Sequence, residues 1–215
     1  AGYRAVPSQN VVSQQVQPIR IVETIPAKAL KKVNDTTYVF DFARNMSGVT
    51  RIKVSGEEGT VVRLKHGERI YDNGRVNMSN IDVYHRPVDD KDPFQTDILI
   101  LSGKGEDEFM ARFNYKGFRY VEVTSSKPVA LDQNSLTAYF VHSDVPQKGE
   151  INTSNPLVNR LWWATNNAYL SNLMGYPTDC PQREKNGWTG DGHFAIETAL
   201  YNYCLLYTSP SPRDS

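Results

Sequence analysis

Between Tyr38 and His142, short runs of apolar and β-branched residues alternate with turn-forming residues. Runs of this kind, bounded by Gly, Asn, Asp or Ser, are typical of β-strands, whose side chains point alternately to opposite faces. The pattern predicts strands at Tyr38–Phe40, Val49–Val54, Thr60–Leu64, Ile98–Leu101, Phe118–Val123 and Leu136–Val141. Because no helical pattern separates these strands, the arrangement favours an antiparallel β-sandwich.

Glycine-containing and polar segments predict how the strands are joined. Gly-Glu-Glu-Gly at 56–59 and Ser-Gly-Lys-Gly at 102–105 each predict a turn between two alternating strands, since Gly tolerates the positive φ that tight turns need. The polar stretch Asn73–Asn80 predicts a long loop. Residues 1–25 are mostly polar and contain prolines, so we predict a connection from an upstream domain, with a short strand at Ile19–Thr24.

The hydrophobic period changes after Val145-Pro146. Asn155 can cap a helix, and Pro156 suits the first helical position, where a missing N–H costs nothing. An apolar stripe at helical spacing follows and consists of Leu157, Leu161, Ala164 and Ala168. Gly175 ends this pattern. A second helix is predicted after its expected cap, Asp191, with one face formed by Phe194, Ala195, Thr198 and Ala199.

The change of period divides the chain into parts with different secondary structure. We predict a β-sandwich domain at residues 26–146, following the connection at 1–25, and the start of a helical domain at 147–203. The expected fold class is therefore multidomain, with β-strands first and α-helices second.

Composition and charge exclude several classes of function. The 215 residues include 24 basic and 24 acidic side chains, and a balanced charge removes the field that draws proteins to nucleic acid or to anionic membranes. No apolar run approaches the roughly 20 residues of a membrane-spanning helix. The two cysteines, Cys180 and Cys204, form neither a disulfide framework nor a paired metal-ligand spacing. We expect no cofactor, no metal, no nucleic-acid partner and no membrane span.

A low number of cysteines is compatible with a bacterial cytoplasm and equally with a periplasm or an extracellular location, so the compartment stays open. The oligomeric state is open as well. The first residue, Ala1, is followed by no signal peptide, and we expect the chain to begin inside a longer protein.

The densest chemistry lies in the segment 176–191. It combines three carboxylates, one guanidinium and one indole, namely Asp179, Glu184, Asp191, Arg183 and Trp188. Pro and Gly residues within the segment forbid a continuous helix, so the acids are expected on a shaped loop. Carboxylates accept hydrogen bonds from vicinal hydroxyls, Arg supplies a planar fork of donors, and Trp offers a flat apolar face. The combination favours a carbohydrate site.

Each of these residues also has an ordinary structural interpretation. An Asp before a helix, such as Asp191, is commonly a cap. A Glu beside Lys and Arg, such as Glu184, is commonly a surface ion pair. A single Trp such as Trp188 is commonly part of a core. Taken together, the residues favour the carbohydrate site over these separate interpretations.

The segment 179–191, DCPQREKNGWTGD, resembles the signature of the bacterial α-L-rhamnosidases, glycoside hydrolase family 78. Four further blocks resemble this family in its own order: FDFARNMSG at 40–48, FNYKGFRYV at 113–121, VHSDV at 141–145 and SNPL at 154–157. The resemblance covers most of residues 19–203.

This resemblance implies hydrolysis of terminal α-L-rhamnosides with inversion, on an (α/α)6 barrel preceded by β-sandwich domains. The partners it implies are rhamnose-containing glycosides or polysaccharides. By motif position, Glu184 would be the general acid. Asp179, Arg183 and Asp191 would hold rhamnose hydroxyls, and Trp188 would form part of an apolar wall. The general base would be a glutamate late in the barrel, and an inverting mechanism places the two carboxyl groups roughly 6.5–9.5 Å apart.

The chain departs from the family pattern at two places. Ala43 and Arg44 stand where the family usually has Gly and Gln. Gly192 and His193 follow Asp191 where Ala-Gln is common. His193 could contact substrate, although a helix residue in the first turn is the plainer interpretation.

Residues 204–215 do not continue the helical pattern. The string CLLYTSPSPRD within them resembles the translation of a transposase-type sequencing-library adapter, and the alternative is a Ser/Pro-rich disordered tail. We therefore expect residues after Tyr203 to be non-native and most of the barrel, with its catalytic base, to be missing. A fragment of this kind would be inactive alone and would expose an apolar patch at Leu157, Leu161 and Trp162.

Two other functions are open at this point. A non-catalytic carbohydrate-binding or accessory β-sandwich could present Tyr71, Tyr84, Tyr115 and Tyr120 to a sugar, although cross-strand packing explains most of these. A metal site could use Asp179, Asp191 and His193, but their spacing matches no familiar ligand set. No Gly-rich phosphate loop follows a strand, so nothing supports nucleotide binding.

Overall fold

The computed structural model describes residues 13–14, 16–81 and 94–205. Its elements in these ranges are β1 (Ile19–Pro26), β2 (Ala29–Asn34), β3 (Thr37–Ser55), β4 (Val61–Gly67), β5 (Arg69–Ile70), β6 (Val76–Asn77), β7 (Thr96–Ile100), β8 (Glu106–Met110), β9 (Lys116–Ser125), β10 (Leu136–Ser143), α1 (Pro156–Ser171) and α2 (Thr189–Tyr203). Strands come first and helices second, which confirms the predicted fold class.

The main sheet is antiparallel and has the strand order β1-β10-β3-β9-β4-β7. Strand β3 is its centre, because β2 and β8 also pair with it. The first part of β3 pairs with β2 and β9, and its last part pairs with β10 and β8. The strands predicted separately at Tyr38–Phe40 and Val49–Val54 are therefore two parts of one strand that runs through both layers of the sandwich.

The two parts of β3 enclose one apolar core. Side chains from the β9–β4 side and from the β1–β10 side belong to the same buried cluster, which includes Phe40, Leu64, Phe118, Val121, Ile25, Leu136 and Phe140. Within it the rings of Phe42 and Phe118 pack edge to face, with centroids 5.9 Å apart. A shared core of this kind is what the alternating pattern of the strands predicts.

The predicted turns are present, but they join strands that do not pair with each other. The 56–59 turn joins β3 to β4, and these two strands do not pair with each other. The 102–105 turn joins β7 to β8, but β7 pairs with β4 and β8 pairs with β3. The two turns lie side by side, since the Gly59 N–H donates to the Leu101 carbonyl over 2.9 Å. In the predicted loop 73–80, the short strand β6 pairs with β5.

The N-terminal strand predicted at Ile19–Thr24 is present as β1 and pairs with β10. Part of the stretch predicted as an upstream connection therefore contributes to the sheet. Residues 1–12 lie outside the described residues, and the limits of the domains remain predictions.

A bulge in β3 carries the motif at 40–48 toward the first helix. Asp41 is opposite Tyr120 and Met46 is opposite Phe118, so four residues of β3 occupy the space of one residue on β9. Within the bulge Ala43 has φ +57°, a left-handed conformation that favours glycine. The Gly that the motif resembled by this segment usually has at this position would adopt the conformation without strain.

Helix α1 begins as predicted. Its N-cap, Asn155, accepts a hydrogen bond from the Leu157 N–H over 2.9 Å, and Pro156 occupies the first position. The helix ends at Ser171, before Gly175. Leu157 and Leu161 are exposed as predicted, whereas Trp162 is half-buried and donates to Asn202 Oδ1 over 3.0 Å.

The predicted cap of the second helix is wrong. Helix α2 begins at Thr189 after the N-cap Trp188, and Asp191 lies in its first turn. There its negative charge interacts favourably with the positive end of the helix dipole. Helices α1 and α2 pack around a small core of Tyr169, Ala199 and Tyr203, together with Leu173, which follows α1. Phe194, expected on this face, is 88% exposed. Neither described helix is long and apolar enough to cross a membrane.

Candidate carbohydrate site

Four of the five predicted site residues lie on the connection between α1 and α2, and the fifth, Asp191, lies in the first turn of α2. Part of the connection is closed into a small ring. The Asp179 N–H donates to the Asn186 carbonyl over 2.9 Å, and the Asn186 N–H donates back to Asp179 Oδ1 over 2.8 Å. Inside the ring, Cys180 Sγ donates to Asp179 Oδ2 (2.9 Å) and accepts from the Glu184 N–H (3.3 Å). We call residues 179–186 the acid loop.

The cysteine of the acid loop is a neutral structural group. Burial, followed by the hydrogen bond to Asp179, raises the pKa of the Cys180 thiol. A protonated thiol can donate to the Asp179 carboxylate, so the raised pKa agrees with the hydrogen bond. Both carboxylate oxygens of Asp179 thus accept a hydrogen bond within the acid loop, and this fixes the orientation of the carboxylate.

Three of the predicted residues form a connected cluster around the Glu184 carboxyl group. Arg183 Nη2 donates to Glu184 Oε1, and Trp188 Nε1 donates to Glu184 Oε2 over 2.9 Å. Two donors on one carboxyl group orient it strongly. Glu184 is nevertheless exposed, and the Trp188 side chain is 55% exposed. The cluster therefore presents an oriented carboxyl group beside an accessible aromatic face.

The other two predicted residues lie in a cleft between α1 and α2. Asp179 and Asp191 both line this cleft, which has a volume of about 430 Å³. Thr178 and Asn172 add polar groups to its wall, and Phe194 adds an apolar one. Glu184, Arg183 and Trp188 are not among the described residues that line it. The structure thus divides the predicted residues into two groups, and Asp179 belongs to the cleft and to the acid loop.

The three residues considered as an alternative metal site, Asp179, Asp191 and His193, are not brought together. His193 lies exposed near the start of α2, with its ring centroid 5.9 Å from that of Phe194, and it is not part of the cleft wall. Within the ranges that the structure describes, no group of three or more His, Cys, Asp or Glu residues is arranged to hold a metal ion.

The sandwich supports the acid loop at two contacts that the sequence reasoning missed. A Cβ added to Gly117 at the start of β9 would lie 2.8 Å from the Gln182 backbone nitrogen, so the strand and the loop are in close contact. Lys185 Nζ donates to the Tyr115 carbonyl over 2.6 Å and to Asn114 Oδ1 over 3.0 Å. The only signal in the sequence was the small residue Gly117 between larger ones in the motif at 113–121.

Two of the tyrosines considered for a sugar-binding face have cations over their rings. The Lys185 ammonium lies 4.5 Å from the ring centroid of Tyr115, and the Arg119 guanidinium lies 4.8 Å from that of Tyr120. Burial raises the pKa of Tyr115 to about 12. Tyr71 is exposed, and Tyr84 lies outside the described residues. Of the three tyrosines that the structure describes, Tyr71 is therefore the exposed one, while Tyr115 and Tyr120 are half-buried.

Two family models match the chain in succession. The bacterial alpha-L-rhamnosidase concanavalin-like domain matches residues 31–142, and the bacterial alpha-L-rhamnosidase 6 hairpin glycosidase domain matches residues 146–207. An α-L-rhamnosidase of Streptomyces avermitilis is 35% identical over 197 residues, which are 91% of this chain and 18% of that protein. One of Formosa agariphila is 30% identical over 199 residues, 91% of this chain and 20% of that protein.

The chain thus spans about a fifth of the length of the relatives it matches. Solved structures resemble its fold as well. The α-L-rhamnosidase of Dictyoglumus thermophilum matches with a TM-score of 0.79 and 37% identity, over 89% of this chain and 21% of that one. The Streptomyces avermitilis α-L-rhamnosidase complexed with L-rhamnose matches with a TM-score of 0.78 and 34% identity, over 90% of this chain and 18% of that one.

The two matched domains follow each other in the same order as the strands and helices of the structure. The first alone covers more than half of the 215 residues. This chain belongs to the bacterial α-L-rhamnosidase family.

Proposed function

We propose that this chain is the part of an α-L-rhamnosidase that carries the general acid, and that the whole enzyme cleaves terminal α-L-rhamnosides with inversion. The observation that carries the proposal is the Glu184 carboxyl group, which Arg183 and Trp188 orient at the surface of the acid loop. An oriented, accessible carboxyl group is what proton transfer to a departing glycosidic oxygen requires. The relatives that share this segment are α-L-rhamnosidases.

The neighbouring residues fit the recognition of a deoxy sugar. Asp179 and Asp191 place two carboxylates on the wall of one cleft, where they can accept hydrogen bonds from adjacent hydroxyls. The exposed indole of Trp188 offers an apolar face to the ring C–H groups and the methyl group of rhamnose. We propose that Asp179, Arg183 and Asp191 bind hydroxyls and that Trp188 forms part of the apolar wall.

Inversion requires a second carboxyl group, roughly 6.5–9.5 Å from the first, with space for a water molecule between them. We propose that this general base belongs to a part of the enzyme outside the described residues. The chain alone would then bind rhamnose weakly and would not hydrolyse rhamnosides.

We also propose that residues 204–215 are non-native, and sequencing the source DNA across the codons of Tyr203 and Cys204 tests this directly.

The acid is tested by Glu184→Gln in the full-length enzyme that carries this segment. The amide keeps the size of the side chain and cannot supply a proton, so kcat for an alkyl α-L-rhamnoside should fall by about 10²–10⁴-fold. KM should change little. A 4-nitrophenyl rhamnoside needs less help from an acid, because its leaving group is a weak base, and it should lose less activity.

Glu197→Gln is the matched control, because Glu197 is an exposed residue of α2 away from the acid loop. Near-normal turnover of the alkyl rhamnoside by the Glu184→Gln enzyme would remove Glu184 from the role of general acid.

The accessory-module alternative is tested by titrating the chain with L-rhamnose. Binding that survives Asp179→Ala and Asp191→Ala would favour a sugar-binding sandwich instead.

A further inference from the structure

Lys185, the residue after Glu184, connects the acid loop to the sandwich. Its ammonium group donates to the Tyr115 carbonyl and to Asn114 Oδ1, and it also lies over the Tyr115 ring. These two residues precede β9. One side chain thus makes two hydrogen bonds and a cation–π contact with a single short segment of the sandwich.

The conformation of Lys185 is costly for an isolated residue. Its φ is +57°, a left-handed conformation that is unfavourable for residues with a Cβ atom. Burial, assisted by the charge of Lys116, lowers the pKa of Lys185 to about 8, while Cys180 and Asp97 act in the opposite direction. Surrounding contacts must compensate both costs, and costs of this kind are concentrated at functional sites.

Arg183 and Glu184 lie between two anchors on the sandwich. On one side Gln182 packs against Gly117, where no side chain would fit. On the other side Lys185 is bound to Asn114 and Tyr115. The next residue, Asn186, closes the ring with Asp179. Displacement of Lys185 would therefore be transmitted to the backbone of Glu184.

We propose that Lys185 is a positioning residue, whose attachment to Asn114 and Tyr115 holds the Glu184 carboxyl group in its working orientation. The inference rests on the proposed role of Glu184 as general acid. The sandwich would then contribute to catalysis, because it would hold the general acid in place without touching the substrate.

The first test uses this chain labelled with 5-fluorotryptophan. Trp188 donates to Glu184, and Trp188→Phe assigns its ¹⁹F resonance. Lys185→Met removes the ammonium group and keeps a long side chain, and we expect it to shift or broaden the Trp188 resonance. The resonances of Trp162 and Trp163 on α1 should keep their positions and thereby report an intact fold. Lys127→Met is the matched control, because Lys127 forms an exposed ion pair with Glu57 on the sandwich surface.

An unchanged Trp188 resonance in Lys185→Met would overturn the inference. If Lys185→Met fails to fold, Asn114→Ala replaces it, since this change removes one acceptor of the ammonium group and no buried charge. The same two results, a moved or an unmoved Trp188 resonance, then decide the question.

The second test is kinetic and uses the full-length enzyme. Lys185→Met should lower kcat for an alkyl rhamnoside by about tenfold to a hundredfold, as expected when a reacting group is misplaced. KM should stay near its original value, and Lys185→Arg should restore part of the rate. An unchanged kcat, with Glu184→Gln inactive, would overturn the role of Lys185 alone. Normal turnover by Glu184→Gln would instead overturn the proposed acid, and the role of Lys185 with it.

Discussion

Arg44 on β3 and Asn167 on α1 join the sandwich to the first helix. Arg44 Nε donates to Asn167 Oδ1 over 2.6 Å, and the Asn167 amide donates to the Asn45 carbonyl over 2.8 Å. The Arg44 guanidinium also forms an ion pair with Glu23 at 2.5 Å and lies 4.5 Å from the Phe140 ring centroid. The bulge of β3 thus places Arg44 and Asn45 in contact with helix α1.

We expect Arg44→Ala to lower the free energy of unfolding by about 1–3 kcal/mol, because it removes a charge-assisted hydrogen bond and leaves Asn167 without this donor. Urea denaturation measures the loss, and hydrogen exchange should become faster in α1. Arg20→Ala is the control, since Arg20 and Asp144 form an exposed ion pair at 3.7 Å, and such pairs contribute about 0–1 kcal/mol. Equal losses in the two variants would contradict a special role for Arg44.

Ala43→Gly should stabilise the protein by about 0.5–1 kcal/mol, because Ala43 has φ +57°. Glycine relieves a backbone cost of about 1–2 kcal/mol there, which exceeds the cost of about 0.4–1 kcal/mol from a more flexible unfolded chain. Thermal or urea denaturation gives the difference. The control is Ala130→Gly, at an exposed residue whose φ is not positive. That change should destabilise by about 0.4–1 kcal/mol, because glycine makes the unfolded chain more flexible. A loss of stability in Ala43→Gly would show that the methyl group packs favourably in the bulge.

His66 should make stability depend on pH. It is fully buried, its Nδ1 donates to the Gln95 carbonyl, and its Nε2 accepts from the Thr50 hydroxyl. Burial lowers the pKa of His66 to about 4, although the charge of Asp97 opposes the shift. Because the unfolded chain binds this proton more readily than the folded one, stability is lost as the pH falls from about 6.5 to about 4.

The change is measured by urea denaturation near pH 7 and near pH 5, where His66 should account for a loss of about 2 kcal/mol. His66→Gln should lack this part of the loss, while the buried His142, whose pKa is also lowered by burial, still contributes. His193→Gln, at an exposed residue, should retain the full dependence. A His66→Gln protein that loses as much stability as the parent would refute the assignment.

The fold class follows from the sequence because its signals are local. Alternating apolar residues and the cap at Asn155 act within a few positions, and each predicted strand overlaps an observed one, while α1 begins after its predicted cap. The strands β2, β5, β6 and β8 were not predicted. The pairing of the strands could not be predicted. Turns that resemble hairpin turns, such as 56–59, connect the two layers, because β9 and β10 arrive later in the chain and pair with β3.

In the candidate site, too, local features could be predicted from the sequence and long-range contacts could not. The residues that carry chemistry, such as Glu184 and Trp188, were predicted from their types and from the family resemblance. Their supports were not, since Lys185 meets Asn114 and Tyr115 across about 70 residues of sequence. The local sequence around Asp191 also fitted a helix cap. Helix α2 begins earlier, at Thr189, so Asp191 is not its cap.

Gly117→Ala should separate the acid loop from the sandwich. The added Cβ would lie 2.8 Å from the backbone nitrogen of Gln182, and a backbone atom cannot move aside as a side-chain tip can. The peptide bonds after Arg183 and Lys185 are trypsin sites, so cleavage in the acid loop should become faster. Gly192→Ala is the control, since its Cβ would point into open space on α2. Equal rates of cleavage in the two variants would show that the acid loop does not depend on its contact with β9.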